Sequence, residues 1–178
     1  MNKHPRVLEK YNAYKLEWLH DAIRFVLLVL AVFALFRYVI GFSMVGGDSM
    51  APHLTDGDFV VYSRLHREYR PGEVIAIRVP SGEYYIKRVA AVGGDTVEVR
   101  DGRVYVNGEA LDDPWGYGET QPEYGAVIYP YKIREGNVFV LGDNRAVSMD
   151  SRAFGEVNIR QIRGRIVLVL SKEGIHRL

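Results

Sequence analysis

A chain of 178 residues has room for one ordinary domain and an appendage, and 48% apolar, 25% charged and 12% aromatic content excludes a disordered chain. The 23 basic and 22 acidic residues leave a formal charge of +1 with no long like-charge run, so nothing is built to grip a phosphate backbone and no nucleic-acid partner is expected. The absence of cysteine excludes disulfides, thiol catalysis and thiolate metal sites, and leaves the compartment open.

The first element is apolar. Every residue from Phe25 to Phe36 is hydrophobic, and with its flanks the stretch reaches about 20 residues, the length that crosses a bilayer. Arg24 and Arg37 bracket it, and Trp18 and Tyr38 suit the membrane interface. Lys3, Arg6, Lys10, Lys15 and Arg24 precede or open it, so the positive-inside rule makes 1–21 a cytoplasmic segment and 22–41 a single transmembrane helix. Residues 42–178 then form a domain outside the cytoplasmic membrane, with the lipid bilayer as one partner. A buried helix and the core of a cleaved leader compete with this reading. Against the first, 25–36 has no polar face; against the second, the region before it is long and carries Glu9, Glu17 and Asp21.

Beyond residue 55 the pattern changes to short β-branched and aromatic runs, "FVVYSRL", "VIAIRV", "YYIKRVAAV", "TVEVR", "RVYVN", "NVFVL" and "RIVLVL", which predict a mainly β fold. In 96–107 the Asp101-Gly102 pair predicts a two-residue hairpin with Val99 opposite Val104 and Val97 opposite Val106. Its other face carries Glu98 and Tyr105. Residues 108–136, with Pro114, Pro122 and Pro130, read as an irregular excursion between strands.

Three stretches carry candidate chemistry. "GGDSMAPHL" sets Ser49 among glycines directly after the apolar segment. A histidine base is hard to find: only His53 and His66 lie in the folded region, and His53, four residues from Ser49, reads first as a loop histidine. No ligand spacing for a metal is present, and no cofactor is expected. The alternative base is a lysine kept neutral by burial, which can lower its pKa by about 3 to 5 units. Lys87 is the candidate, because strand alternation places it between Tyr85 and Val89; an edge-strand lysine that discourages aggregation is the plainer reading. In "GDNRAVSMDSRAFG", residues 142–155, the polar residues form either a surface loop or a hydrogen-bonded scaffold in which a hydroxyl such as Ser148 orients a lysine amine.

In this order, behind a single apolar segment, the three stretches resemble the type I signal peptidases, membrane-anchored serine–lysine proteases that remove signal peptides from exported proteins. The resemblance covers almost the whole chain. It implies a β domain of antiparallel sheets, Ser49 as nucleophile, Lys87 as general base, and Ser148 hydrogen-bonded to the lysine amine. It also implies an oxyanion hole at the Ser49 N–H, with Gly47 where some relatives carry a hydroxyl, and a supporting network of Asp143, Arg145, Asp150 and Arg152. The implied substrates are signal-peptide-bearing preproteins with small residues at the first and third positions before the cut. His53 and the Ala146-Val147 pair depart from the family pattern. Related serine–lysine processing enzymes, among them self-cleaving repressors and conjugation-type proteases, and a non-catalytic peptide-binding β domain are the rival readings.

Overall fold

The computed structural model describes residues 5–66, 68–79, 82–123 and 127–178, with side chains from residue 17 onward. Lys3, the side chains of Arg6, Lys10 and Lys15, and residues 124–126 of the excursion lie outside the described residues. The chain divides into two compact units, 1–39 and 40–178.

The first unit is a helix, α1 (Pro5–Ala34), continued by a π-helical turn, Leu35–Val39. Proline is favoured in the first turn, where its missing N–H costs nothing, and the Leu-, Glu-, Lys- and Ala-rich residues that follow favour helix. The helix therefore begins well before residue 22, inside the segment expected to precede the apolar span. Glu17–Val39 is long and apolar enough to cross a membrane. At its far end the expected boundary also moves, because Ile40 and Gly41 already belong to strand β1 (Ile40–Met44). Gly41 is required there: a Cβ at that position would lie 2.2 Å from the Tyr62 ring.

The second unit is mainly β. Strands β2 (Phe59–Ser63), β3 (Val74–Arg78), β4 (Tyr84–Val92), β5 (Thr96–Arg100) and β6 (Arg103–Val106) are followed by the short β7 (Glu109–Ala110) and β8 (Tyr131–Lys132). Then come β9 (Asn137–Leu141), a one-turn helix α2 (Ser151–Phe154), β10 (Val157–Asn158), β11 (Ile162–Ser171) and β12 (Gly174–His176). All named strand pairings are antiparallel. One sheet runs β1-β2-β11-β3-β4-β9-β10 with β12 on β11, and the other runs β7-β6-β5-β8. The hairpin forms in the expected register, Val97 with Val106 and Val99 with Val104. Its turn residues Asp101 and Gly102 have φ of 51° and 72°, the pair of positive values that a type I′ turn requires.

The long strand β11 joins the sheet, pairing with β3 through its first half and β2 through its second, with a register shift in each ladder. Three apolar clusters fill the unit. Met50 and Leu54 belong to one with Val60, Tyr62 and Val169; Ile75, Ile77, Val89 and Val140 belong to another. The third, around Phe139, takes in Val127 and Ile133, so the irregular excursion contributes to the core. Trp115 from the same excursion lies with its ring 4.6 Å from the Arg88 guanidinium, and Arg145 pairs with Asp113.

Candidate active site

The serine turn is held by what surrounds it. Met50 and Leu54 are buried, and the Leu54 N–H donates to the Met50 carbonyl at 3.0 Å, so the apolar residues that follow Ser49 root the turn in the core. Its outer edge is left to glycine: a Cβ at Gly46 or Gly47 would meet nothing within 4 Å, and Gly47 has φ of 76°. From the far side, the Asn144 N–H donates to the Ser49 carbonyl at 3.1 Å, which ties the serine turn to the 142–150 loop.

Lys87 reaches this turn from the middle of β4. Its partner across the ladder on β3 is Ile75, and its strand neighbours on the same face are Tyr85 and Val89. The residue is 3% exposed. Nζ lies 2.7 Å from Ser49 Oγ and 5.4 Å from the centre of the Tyr85 ring. Removing an ammonium from water disfavours its charged form, so burial pulls the Lys87 pKa down to about 8; Asp150 and Asp143 oppose the fall and Arg152 adds to it. At this distance a protonated amine donates to Oγ, whereas a neutral amine accepts the hydroxyl proton. The pair lines a cleft of about 440 Å³ with Gly46, Gly47, Asp48, Tyr85, Asn144, Val147 and Met149.

Below the pair lies a buried polar network. Asp150, fully buried, accepts from Arg152 Nε at 2.8 Å through Oδ1 and from the Gly142 N–H at 3.0 Å through Oδ2. Arg152 also donates to the Arg145 and Ser148 carbonyls, and Arg145 to the Gly142 carbonyl and Thr120 Oγ1. The Ser151 hydroxyl accepts from the Val140 N–H at 2.9 Å, joining the loop to β9. Asp143 is engaged elsewhere: Arg88 Nε and Nη2 donate to its two oxygens at 2.8 and 2.6 Å, and His53 Nδ1 stands 3.2 Å away. Asp143 and Asp150 thus each have a guanidinium partner, as the cost of burying charge demands.

Ser49, Lys87, Ser148, Asp143, Arg145, Asp150 and Arg152 therefore gather at one place, with two corrections. Ser148 makes no hydrogen bond to Lys87; its Oγ is buried and unpartnered, and it lies so close to Gly142 that an added Cβ there would be 2.1 Å from that oxygen. The Gly47 N–H is also not open to a substrate oxyanion, since it donates to Asp56 Oδ1 at 2.8 Å. The Ser49 N–H donates to no acceptor among the described residues. Arg88 and Asp56 were missed in the sequence, although the lysine-arginine pair at 87–88 and the "TDGD" after the serine were available signals.

Comparison with known proteins places the chain in a family. The model of the family described as signal peptidase, peptidase S26, matches residues 16–171. Signal peptidase IB of Staphylococcus aureus is 32% identical over 169 aligned positions, covering 85% of this chain and 86% of its own. Signal peptidase I of Bacillus licheniformis is 34% identical over 160, covering 83% and 84%. A crystal structure of a signal peptidase I from Enterococcus faecalis V583 matches at 32% identity and a TM-score of 0.48, over 55% of this chain and 96% of that one. A family model that spans most of the chain, together with relatives that share a third of its residues along most of both lengths, means that the chain belongs to the signal peptidase family, the S26 peptidases.

Proposed function

We propose that the protein is a membrane-anchored endopeptidase that removes signal peptides from exported preproteins by acyl transfer between a Ser49 nucleophile and a Lys87 base. The observation that carries this reading is the 2.7 Å separation of Lys87 Nζ and Ser49 Oγ at the edge of an open cleft. Neutral Lys87 takes the hydroxyl proton as Oγ attacks the scissile carbonyl, and the C–O bond forms as the carbonyl electrons move to oxygen. The Ser49 N–H is the donor for that oxyanion. Collapse breaks the C–N bond, and the lysine ammonium returns its proton to the departing amine. Water, deprotonated by the same lysine, then releases the acyl group and restores Ser49.

Ser148 acts here on the protonated lysine. Its buried, unpartnered Oγ accepts a hydrogen bond from the ammonium as Nζ turns from Ser49 toward the leaving group. Asp143, Arg145, Asp150 and Arg152 keep the loop that carries Ser148 in place. The Glu17–Val39 helix holds the cleft at the outer face of the cytoplasmic membrane, where a membrane-tethered substrate is at high effective concentration. An extended substrate with small side chains at the first and third positions before the cut lies along the cleft as an added strand.

The test is incubation of the purified full chain in detergent micelles with a preprotein, beside Ser49→Ala and Lys87→Ala. Cleavage at the signal-peptide junction by the wild type, and its loss by more than about 10³-fold in both variants, is the expected result. An intact preprotein with the wild type, or cleavage by either variant at the wild-type rate, overturns the assignment.

A further inference from the structure

The serine–lysine pair leaves His53 without a task. The residue follows Ser49 on the same turn, and its side chain is 33% exposed while the Asp143 side chain that it faces is 1% exposed. Nδ1 itself is buried and makes no aligned hydrogen bond, and a buried polar nitrogen left unpaired is destabilising. The Asp143 carboxylate at 3.2 Å is the acceptor within reach, which favours the tautomer with a proton on Nδ1.

The position of Asp143 gives this contact its meaning. Its two oxygens are gripped by Arg88, the residue after Lys87, which points to the opposite face of β4 because successive strand side chains alternate. The next residue, Asn144, holds the Ser49 carbonyl through its N–H. One carboxylate therefore meets the turn that carries the nucleophile through His53 and the strand that carries the base through Arg88. It also sits on the loop that carries Ser148. His53 supplies the only polar side-chain contact from the serine turn to this carboxylate among the described residues.

We propose that His53 is a positioning residue that clamps the back of the serine turn to Asp143 and so fixes the distance between Ser49 Oγ and Lys87 Nζ. It touches neither substrate nor the reacting atoms. Without the clamp the turn keeps its buried Met50 and Leu54 and the fold survives, but Oγ is free to drift from the lysine, and a displacement of about 1 Å can cost on the order of 100-fold in rate. This inference rests on the Ser49–Lys87 reading.

The experiment compares His53→Asn, His53→Leu and His53→Ala in the full chain, in detergent micelles, with a preprotein at saturating and sub-saturating concentrations. Asparagine places an amide nitrogen close to the Nδ1 position; leucine and alanine do not. Leucine and alanine are expected to lower kcat about 10-fold with KM within about twofold of the wild type, and asparagine to recover kcat to within about threefold. Thermal melts are expected to agree for all four proteins, which separates positioning from stability. A kcat within twofold of the wild type in leucine or alanine, or the same loss in asparagine as in leucine, overturns the proposal. Ser49→Ala and Lys87→Ala run alongside: residual cutting there defeats the catalytic reading, whereas inactive controls with unimpaired His53→Leu defeat only the role of His53.

Discussion

If Lys87 is the base, its protonation must govern the rate. With a pKa near 8, about one-tenth of the molecules hold a neutral lysine at pH 7, about 300-fold more than a lysine at its ordinary 10.5 would supply. The expected kcat/KM for preprotein cleavage therefore rises nearly tenfold per pH unit on the acid side, bends near pH 8 and then levels. The same shift has a signature in stability. The folded-state pKa lies below the unfolded one, so the unfolded chain binds more protons between about pH 8 and 10.5 and stability rises with pH across that window. Below pH 8 the lysine is charged in both states and the full burial penalty stands, on the order of 3 kcal/mol at 1.36 kcal/mol per unit. Lys87→Met removes it. The variant should exceed the wild type in urea-unfolding stability by up to about that amount at pH 7, and the advantage should fade toward pH 10.5. A rate profile that is flat from pH 7 to 9, one that bends only near 10.5, or a stability difference that ignores pH would refute the argument.

Other consequences follow from the packing. In Gly142→Ala the new Cβ would sit 2.1 Å from Ser148 Oγ and 2.5 Å from the Ser49 carbonyl oxygen, so the cleavage rate is expected to fall at least 100-fold while circular dichroism still reports a folded β domain. Arg152→Met strands the fully buried Asp150 carboxylate without its guanidinium, and urea titration at pH 7 is expected to show a loss of about 3–5 kcal/mol. Gly102→Ala forces a φ of 72° on a residue with a Cβ in the hairpin turn, which does not line the cleft; it should cost about 1 kcal/mol in the same titration and leave kcat unchanged.

Much of the β unit was legible because its strands are short, apolar and bounded by glycine, aspartate or proline, and each of the seven runs read from the sequence coincides with a strand. The Asp101-Gly102 hairpin was legible to the register, since a two-residue turn fixes the pairing locally. What escaped were features set by distant partners. Strand β1 is hidden at the end of an apolar run because its identity comes from pairing with β2, and the packing of the excursion depends on Arg88, Arg145 and the core that Val127 joins. At the site, residue types offered Ser49, Lys87 and the polar loop as candidates, and the family resemblance supplied their expected roles. They did not show that Asp56 occupies the Gly47 N–H or that Ser148 is wedged against Gly142, because single hydrogen bonds between loops leave no periodic trace.

The closing loop has little regular structure, yet it is bound like a strand. The Val140 and Gly142 amides are capped by the Ser151 hydroxyl and the Asp150 carboxylate, and releasing either exposes the buried Asp150–Arg152 pair to loss of its partners. Loops that open easily do so because few buried groups are at stake; here opening would uncover a buried guanidinium–carboxylate pair, so the Gly142 amide, bound to Asp150, is expected to exchange slowly with water. On the proposed reading the cleft is preformed, and the ordering that accompanies binding falls on the incoming extended chain.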